Sequence, residues 1–315
     1  MKKFLFAIVC VFSLTIFLVG CGGESEKKQF LSIATGGTAG TYYPIGAVIA
    51  EIINKEIPSV NAGAESTGAT VANINMLKEN SVDLAIVQND IVFYAANGTE
   101  MFEDNKVENL RGIISLYPET CQFVTLENSG IKSISDLKGK RVAVGAAGSG
   151  VEANVRQILA AYGLSFNDID AKYLSFAESA NALRDGNVDA ACLTAGYPTA
   201  SVHEISKLQR IRLLPISSEK ADELIQKYPF YTKTVIPAGT YAEFNEDTES
   251  LAVMAMLICT DRLSDDLGQK ITEAIFKNTE KLKAAHTVGK YITEENAAKG
   301  MSIPMNKGAE NYFKK

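Results

Sequence analysis

The residues that could do chemistry gather in short stretches of glycine and hydroxyl side chains. The first is Thr35-Gly36-Gly37-Thr38-Ala39-Gly40-Thr41-Tyr42-Tyr43-Pro44. An apolar run before it, Phe30-Leu31-Ser32-Ile33-Ala34, reads as a strand. After it, Ile45, Val48, Ile49, Ile52 and Ile53 are spaced as one face of a helix. Pro44 suits the first helical turn, where its missing N–H costs no hydrogen bond. A strand, a glycine loop and a helix in that order can present backbone N–H groups and the positive end of a helix dipole to an anion. The same glycines serve any tight strand-to-helix turn, so the loop alone names no ligand.

A second loop repeats the arrangement. Arg141-Val142-Ala143-Val144 reads as a strand and Gly145-Ala146-Ala147-Gly148-Ser149-Gly150 as its loop. A helix follows, with Val151, Val155, Ile158, Leu159 and Tyr162 on one face. Downstream of the first loop stands Leu77-Lys78-Glu79-Asn80-Ser81-Val82-Asp83-Leu84-Ala85. Downstream of the second stands Leu183-Arg184-Asp185-Gly186-Asn187-Val188-Asp189-Ala190-Ala191. Ile33 lies 50 residues before Asp83, and Val142 lies 47 before Asp189. βαβ units look alike because buried strands and helix stops use few residue types. Kept in step across strand, loop, helix and strand, the match points to two similar lobes.

The elements that must position these loops follow in order. Pro58 to Glu65 holds a short strand, Val71, Ile74 and Leu77 mark a helix, and Asp83 to Val87 is a strand of buried type. Alternating strands and helices favour a parallel sheet with helices on its faces. Leu110 to Leu126 reads as an extended connection around Tyr117-Pro118, and Leu251 to Ile258 as a buried strand or crossover. Ser264-Asp265-Asp266 opens a long helix. The fold class is therefore α/β.

A site in such a fold falls at the carboxyl ends of the parallel strands. In the first lobe the candidates are Gly37, Thr38, Thr41, Tyr42 and Tyr43, then Glu65, Ser66 and Thr67, then Gln88 and Asp90. In the second they are Ala146, Ser149 and Gly150, then Thr194, Gly196 and Tyr197. None of these loops contains Arg or Lys. An anion would rest on backbone N–H groups, helix dipoles and the hydroxyls of Thr38, Thr41, Ser66, Ser149 and Thr194. Glu65 or Asp90 could meet an ammonium group, and Tyr42, Tyr43 and Tyr197 could wall the pocket. Thr67 and Ser149 also suit plain helix caps. Asp83 and Asp189, at strand starts, read as structural.

The totals narrow the function. A chain of 315 residues has room for two domains, and 46% apolar with 22% charged residues implies a globular core. The net charge of −6 argues against nucleic acid or an acidic membrane surface as main partner. Enzyme signatures are missing: the first loop lacks a P-loop Lys, neither loop is Gly-x-Gly-x-x-Gly, and Ser149 is not in Gly-x-Ser-x-Gly. His203 reads as surface and His286 as a helix end, neither in metal or triad spacing. No cofactor or metal is expected.

The N-terminus stands apart. Lys2 and Lys3 precede an apolar stretch from Phe4 to Gly20, and Leu18-Val19-Gly20-Cys21 places small residues before a cysteine. The segment resembles a bacterial lipoprotein signal peptide (residues 1–20) with lipid carried on Cys21; a membrane-spanning anchor is the competing reading. Residues 21–29 form the tether, and loss of two lysines takes the mature charge to −6 − 2 = −8. Cys10 leaves with the signal, and Cys121, Cys192 and Cys259 read as buried free thiols.

Residues 30–315 as a whole resemble a known family. Ile33 to Gly46, Glu65-Ser66-Thr67-Gly68-Ala69-Thr70-Val71-Ala72-Asn73, Asp83 to Asp90, Asp136 to Gly150 and the ending Ile303-Pro304-Met305 with Gly308-Ala309-Glu310-Asn311-Tyr312 are similar to motifs of the TAXI-type solute receptors of TRAP transporters. The resemblance implies a two-lobed periplasmic-binding-protein fold of type II, each lobe a mostly parallel sheet flanked by helices. Hinge strands would run near residues 115–125 and 250–260. Residues 30–118 plus 252–315 would build lobe 1, and 119–251 lobe 2. The ligand implied is a small carboxylate, a glutamate-like amino acid or a dicarboxylate, delivered to an ion-gradient-driven TRAP permease. The receptor would be a monomer, lipid-anchored on the outer face of the cytoplasmic membrane. A ligand sensor of the same fold, reporting to a membrane signalling partner, is the other functional class.

Overall fold

A computed structural model describes residues 28–314. The signal region, Cys21 and the tether up to residue 27 lie outside the described residues.

The chain opens with β1 (Gln29–Ala34), α1 (Tyr42–Glu56), β2 (Val60–Glu65), α2 (Thr70–Lys78), β3 (Leu84–Gln88) and α3 (Asn89–Asn97). A strand of 17 residues follows, β4 (Leu110–Leu126). The middle of the chain gives β5 (Arg141–Ala143), α4 (Gly150–Ala161), β6 (Asp170–Lys172), α5 (Phe176–Arg184), β7 (Ala190–Ala195) and α6 (Ala200–Leu208). Then come β8 (Ile211–Leu213), α7 (Ser218–Lys227), β9 (Thr232–Ile236) and the long β10 (Thr248–Thr260). Helices α8 (Asp265–Lys277), α9 (Thr279–Ala285) and α10 (Lys307–Phe313) complete it.

The strands form one ten-stranded sheet in the order β2-β1-β3-β10-β4-β7-β5-β6, with β8 beside β4 and β9 beside β10. Within each lobe the short strands are parallel: β1 with β2 and β3, β5 with β6 and β7. The long β4 and β10 are antiparallel to each other and to β3 and β7. They cross from one lobe to the other. Leu110 to Leu126, expected as an extended connection with a hinge strand near residues 115–125, is one continuous strand. Pro118, which has no N–H to donate, sits opposite Met254 within it.

Side chains alternate between the faces, so each lobe has two cores. Leu31, Ile33, Leu84 and Ile86 pack with Ile45, Ile49 and Ile271, whereas Ala34, Ala85 and Val87 pack with Ile74 and Ile91. In the second lobe Val142, Ala190 and Cys192 join Val151 and Ile158, and Ala191 and Leu193 join Val202 and Ile205. Burial on both faces explains why the parallel strands read as continuous apolar runs. Each fully buried Leu or Ile contributes about 1.5–3 kcal/mol. Helices α8 and α10 carry Ile271, Ile275 and Ala309 into the first-lobe core, which returns the chain's end to its beginning. Cys121, Cys192 and Cys259 are buried and free.

Two local expectations change. His286 is not a charged helix end: its Nε2 faces the Pro198 carbonyl at 3.1 Å, Nδ1 accepts from the Val288 N–H at 3.2 Å, and burial pushes its pKa down. Thr67 does not cap α2 itself; its hydroxyl oxygen accepts from the Ala69 N–H, one residue before the helix.

Candidate functional site

The loops at the carboxyl ends of β1, β2, β3, β5 and β7 converge between the lobes around a cavity of about 90 Å³. The first glycine loop contributes Gly36, Gly37, Gly40, Thr41 and Tyr42. Thr67, Gly68 and Ala69 come from the loop after β2, and Gln88 from the end of β3. Across the gap stand Ala146, Ser149 and Val151, the start of α5 at Ser175 and Phe176, and Thr194 and Ala195. Glu119 of β4 enters from the strand that joins the lobes.

Of the sequence candidates, Gly37, Thr41, Tyr42, Thr67, Gln88, Ala146, Ser149 and Thr194 line this cavity. The others stand outside its lining. Thr38 is exposed, and Tyr43, next along α1 from Tyr42, is half-buried. Glu65 is exposed and its carbonyl accepts from the Thr35 N–H and hydroxyl. Ser66 donates to the Gly36 carbonyl at 3.0 Å, holding one loop to the next. Gly196 gives its carbonyl to Thr41 Oγ1 at 3.2 Å, and Tyr197 Oη donates to the Val235 carbonyl. Asp90 lies behind Gln88 in a buried polar network, and Gly150 leaves the space that Gln88 fills.

That network closes the lobes on each other. Asn154, on α4, accepts from Gln88 Nε2 at 2.8 Å and Thr194 Oγ1 at 3.0 Å. Its own amide donates to Asp90 Oδ2 at 2.9 Å and Tyr231 Oη at 3.0 Å. Tyr231 in turn donates to Gln157, which donates to Tyr94 Oη. On the other flank the Val71 N–H donates to the Gly148 carbonyl at 3.0 Å. Burial pushes the Asp90 pKa up to about 6, opposed by the Ile91 N–H and the Asn154 amide. A Cβ on Gly150 would stand 2.1 Å from Gln88 Oε1, so any larger residue there would force the Gln88 amide to move from its place between the lobes.

Two polar groups of the lining stand out. Ser149 precedes the first turn of α4, yet its hydroxyl makes no cap hydrogen bond and Oγ is buried without a partner. Glu119 is 1% exposed; Tyr42 Oη donates to its Oε2 at 2.9 Å, and burial holds its carboxyl well above the usual range. No Arg, Lys or His lines the cavity among the described residues. Sequence reasoning missed Glu119 and Asn154. Each was marked by one signal, a polar residue inside a stretch otherwise reading as buried: Glu119 between Leu116-Tyr117 and Phe123-Val124, Asn154 on the apolar stripe of α4. Among the described residues no group of His, Cys, Asp and Glu is placed to hold a metal ion.

Two lobes of parallel sheet, two crossing strands and a cavity between them define a solute-binding protein of the periplasmic type II class. The chain belongs to the NMT1-like family, whose model matches residues 33–315. It is 29% identical over 163 residues to the "Putative aliphatic sulfonates-binding protein" of Escherichia coli (strain K12), a match covering 50% of this chain and 48% of that one. The match thus spans about half the length of the curated relative. The alkanesulfonate-binding protein SsuA of Xanthomonas axonopodis pv. citri, solved bound to MOPS, superposes with a TM-score of 0.53 at 18% identity, covering 91% of this chain and 84% of that one. PhnD1 of Prochlorococcus marinus, solved with methylphosphonate, gives 0.54 at 12% identity, covering 91% and 96%.

Proposed function

We propose that the chain is the extracytoplasmic receptor of a transporter and captures a small carboxylate anion in the cavity between its lobes. The observation that carries this is the Ser149 hydroxyl, buried and unpartnered at the N-terminus of α4 in a lining without cationic side chains. A helix N-terminus with a free hydroxyl donor suits an anion, and the surrounding apolar wall strengthens that attraction. The cavity's small volume favours a compact ligand, a dicarboxylate or a glutamate-like amino acid. Resemblance of the glycine loops to TAXI receptors supports delivery to a TRAP permease. The segment before Gly22 supports a lipid anchor on Cys21, and β4 and β10 support lobes of residues 30–118 plus 252–315 and 119–251 hinged on those strands.

A second ligand class, a small sulfonate or phosphonate, is favoured by what the relatives bind, since neutral donors at a helix end serve any oxyanion. Thermal shift and calorimetry of the mature protein with succinate, L-glutamate, ethanesulfonate and methylphosphonate separate the two. Ser149→Ala should weaken the tightest binder about tenfold or more, ~1.4 kcal/mol, without lowering the unfolding midpoint of the free protein. Unchanged affinity would remove the helix-terminus reading. Co-purification with a TRAP permease, against an ATP-driven one or a sensor kinase, tests the partner.

A further inference from the structure

An acidic side chain is an odd lining for an anion site. Glu119 is 1% exposed and lies at the junction of the lobes, where β4 passes between them. The groups that face it are the phenol of Tyr42 from α1, which donates to Oε2, Tyr117 and Cys121 on its own strand, and the Asp90 carboxyl from α3. All four are neutral or anionic. No cation faces it among the described residues, and Asp90 disfavours a second negative charge nearby. An ionised Glu119 would repel the anion that Ser149 and the α4 terminus attract.

We propose that Glu119 meets the bound anion as a neutral carboxylic acid and donates its hydrogen to the ligand, so that each anion captured brings one proton with it. This rests on the carboxylate reading above. While the lobes are apart, water reaches Glu119 and it ionises as an ordinary glutamate. As they close, the carboxylate takes a proton from water to form the acid. The new O–H points to the ligand, because Oε2 is already held by Tyr42. No other bond is made or broken. The sign follows: below the ordinary glutamate pKa closure needs no proton, and above it closure must draw one from an ever scarcer supply. Affinity for a plain dicarboxylate therefore falls as pH rises.

Calorimetry of the mature protein with succinate from about pH 6.5 to about pH 8.5 should show binding weaken by up to about tenfold per pH unit, with one proton taken up per ligand in buffers of different ionisation enthalpy. Glu119→Gln, which can still donate a hydrogen bond, should bind succinate with a flat profile; Glu119→Ala should bind about tenfold or more weaker than wild type at about pH 6.5, also with a flat profile, so that its deficit shrinks as pH rises. Independently of pH titration, an infrared difference spectrum at about pH 7.5 should show a carboxylic-acid C=O stretch in the succinate complex that Glu119→Gln lacks. Affinity that rises with pH, a Glu119→Gln variant that no longer binds, or a complex without the acid band each overturns the proposal. Tight L-glutamate binding that fails only in Glu119→Gln means that the carboxylate holds an ammonium, which overturns it while the Ser149 reading stands. If neither probe binds, the carboxylate reading falls and this proposal falls with it, while the Ser149 reading is then decided by ethanesulfonate and methylphosphonate.

Discussion

In the first lobe β1 lies between β2 and β3; in the second β5 lies between β6 and β7. The correspondence reaches single residues. Ile33 pairs with Leu84, and Val142 with Ala190. Asp83 Oδ2 accepts from the Ser32 N–H at 2.9 Å, and Asp189 Oδ2 from the Arg141 N–H at 2.8 Å. Yet the two glycine loops end differently. α1 begins with Tyr42, whose phenol reaches Glu119, and α4 begins with Gly150, which leaves room for Gln88 from the other lobe. At the next turn Gly46 of α1 brings Thr35 close, where a Cβ would stand 2.5 Å from Thr35 Cγ2. Asn154, at the same place on α4, ties the lobes together. Thr41 before α1 spends its hydroxyl on Gly196, and Ser149 before α4 keeps its own free. A shared scaffold thus fixes where the loops lie, and the first helical residues decide which loop projects and which receives.

Breaking the contact on the receiving side should cost most. Asn154→Ala removes four hydrogen bonds and leaves the Gln88 amide only its long 3.4 Å contact with Asp90, so the protein should lose about 3 kcal/mol or more by urea unfolding. A change under about 1 kcal/mol would mean that the lobes close without this network. Asp90→Asn should follow. A carboxyl raised from 3.8 to about 6 contributes stability that is whole below its unfolded pKa and is lost as pH rises through about 6, up to about 3 kcal/mol. The variant should lack this loss between about pH 4 and about pH 6; a slope that persists has another source. The smallest effect falls on Gly150→Ala, about 1–3 kcal/mol from the clash with Gln88 Oε1. Adding Gln88→Ala should restore closure, measured as compaction by small-angle scattering, if the loop's role is only to make room.

Much of this plan was legible in the sequence. Strand, glycine loop and helix could be read twice, because apolar spacing reports burial directly, and the Val-Asp-x-Ala stretches gave the equivalent strands. The site was legible only in part. Eight of the loop candidates reach the cavity because strand ends point there. Thr38 and Glu65 do not, since a loop has an outer side that composition does not mark. Glu119 and Asn154 were hidden for a different reason. Their partners are 77 and 64 residues away in the chain, and a polar residue in a buried stretch shows its purpose only when the fold brings those partners up.

The placement of β10 carries a consequence for how the chain is made. β3 and β4 are nearly consecutive in sequence but do not touch; β10, some 120 residues later, fills the slot between them. As the polypeptide emerges from its N-terminus, both edges of that slot are laid down early and stay open until residue 260 arrives. Open edges invite pairing with foreign strands, and long-range closure is slow. Completion of the first lobe therefore waits on the last third of translation and export, and a chain truncated before residue 248 would leave a gap in the sheet where β10 belongs.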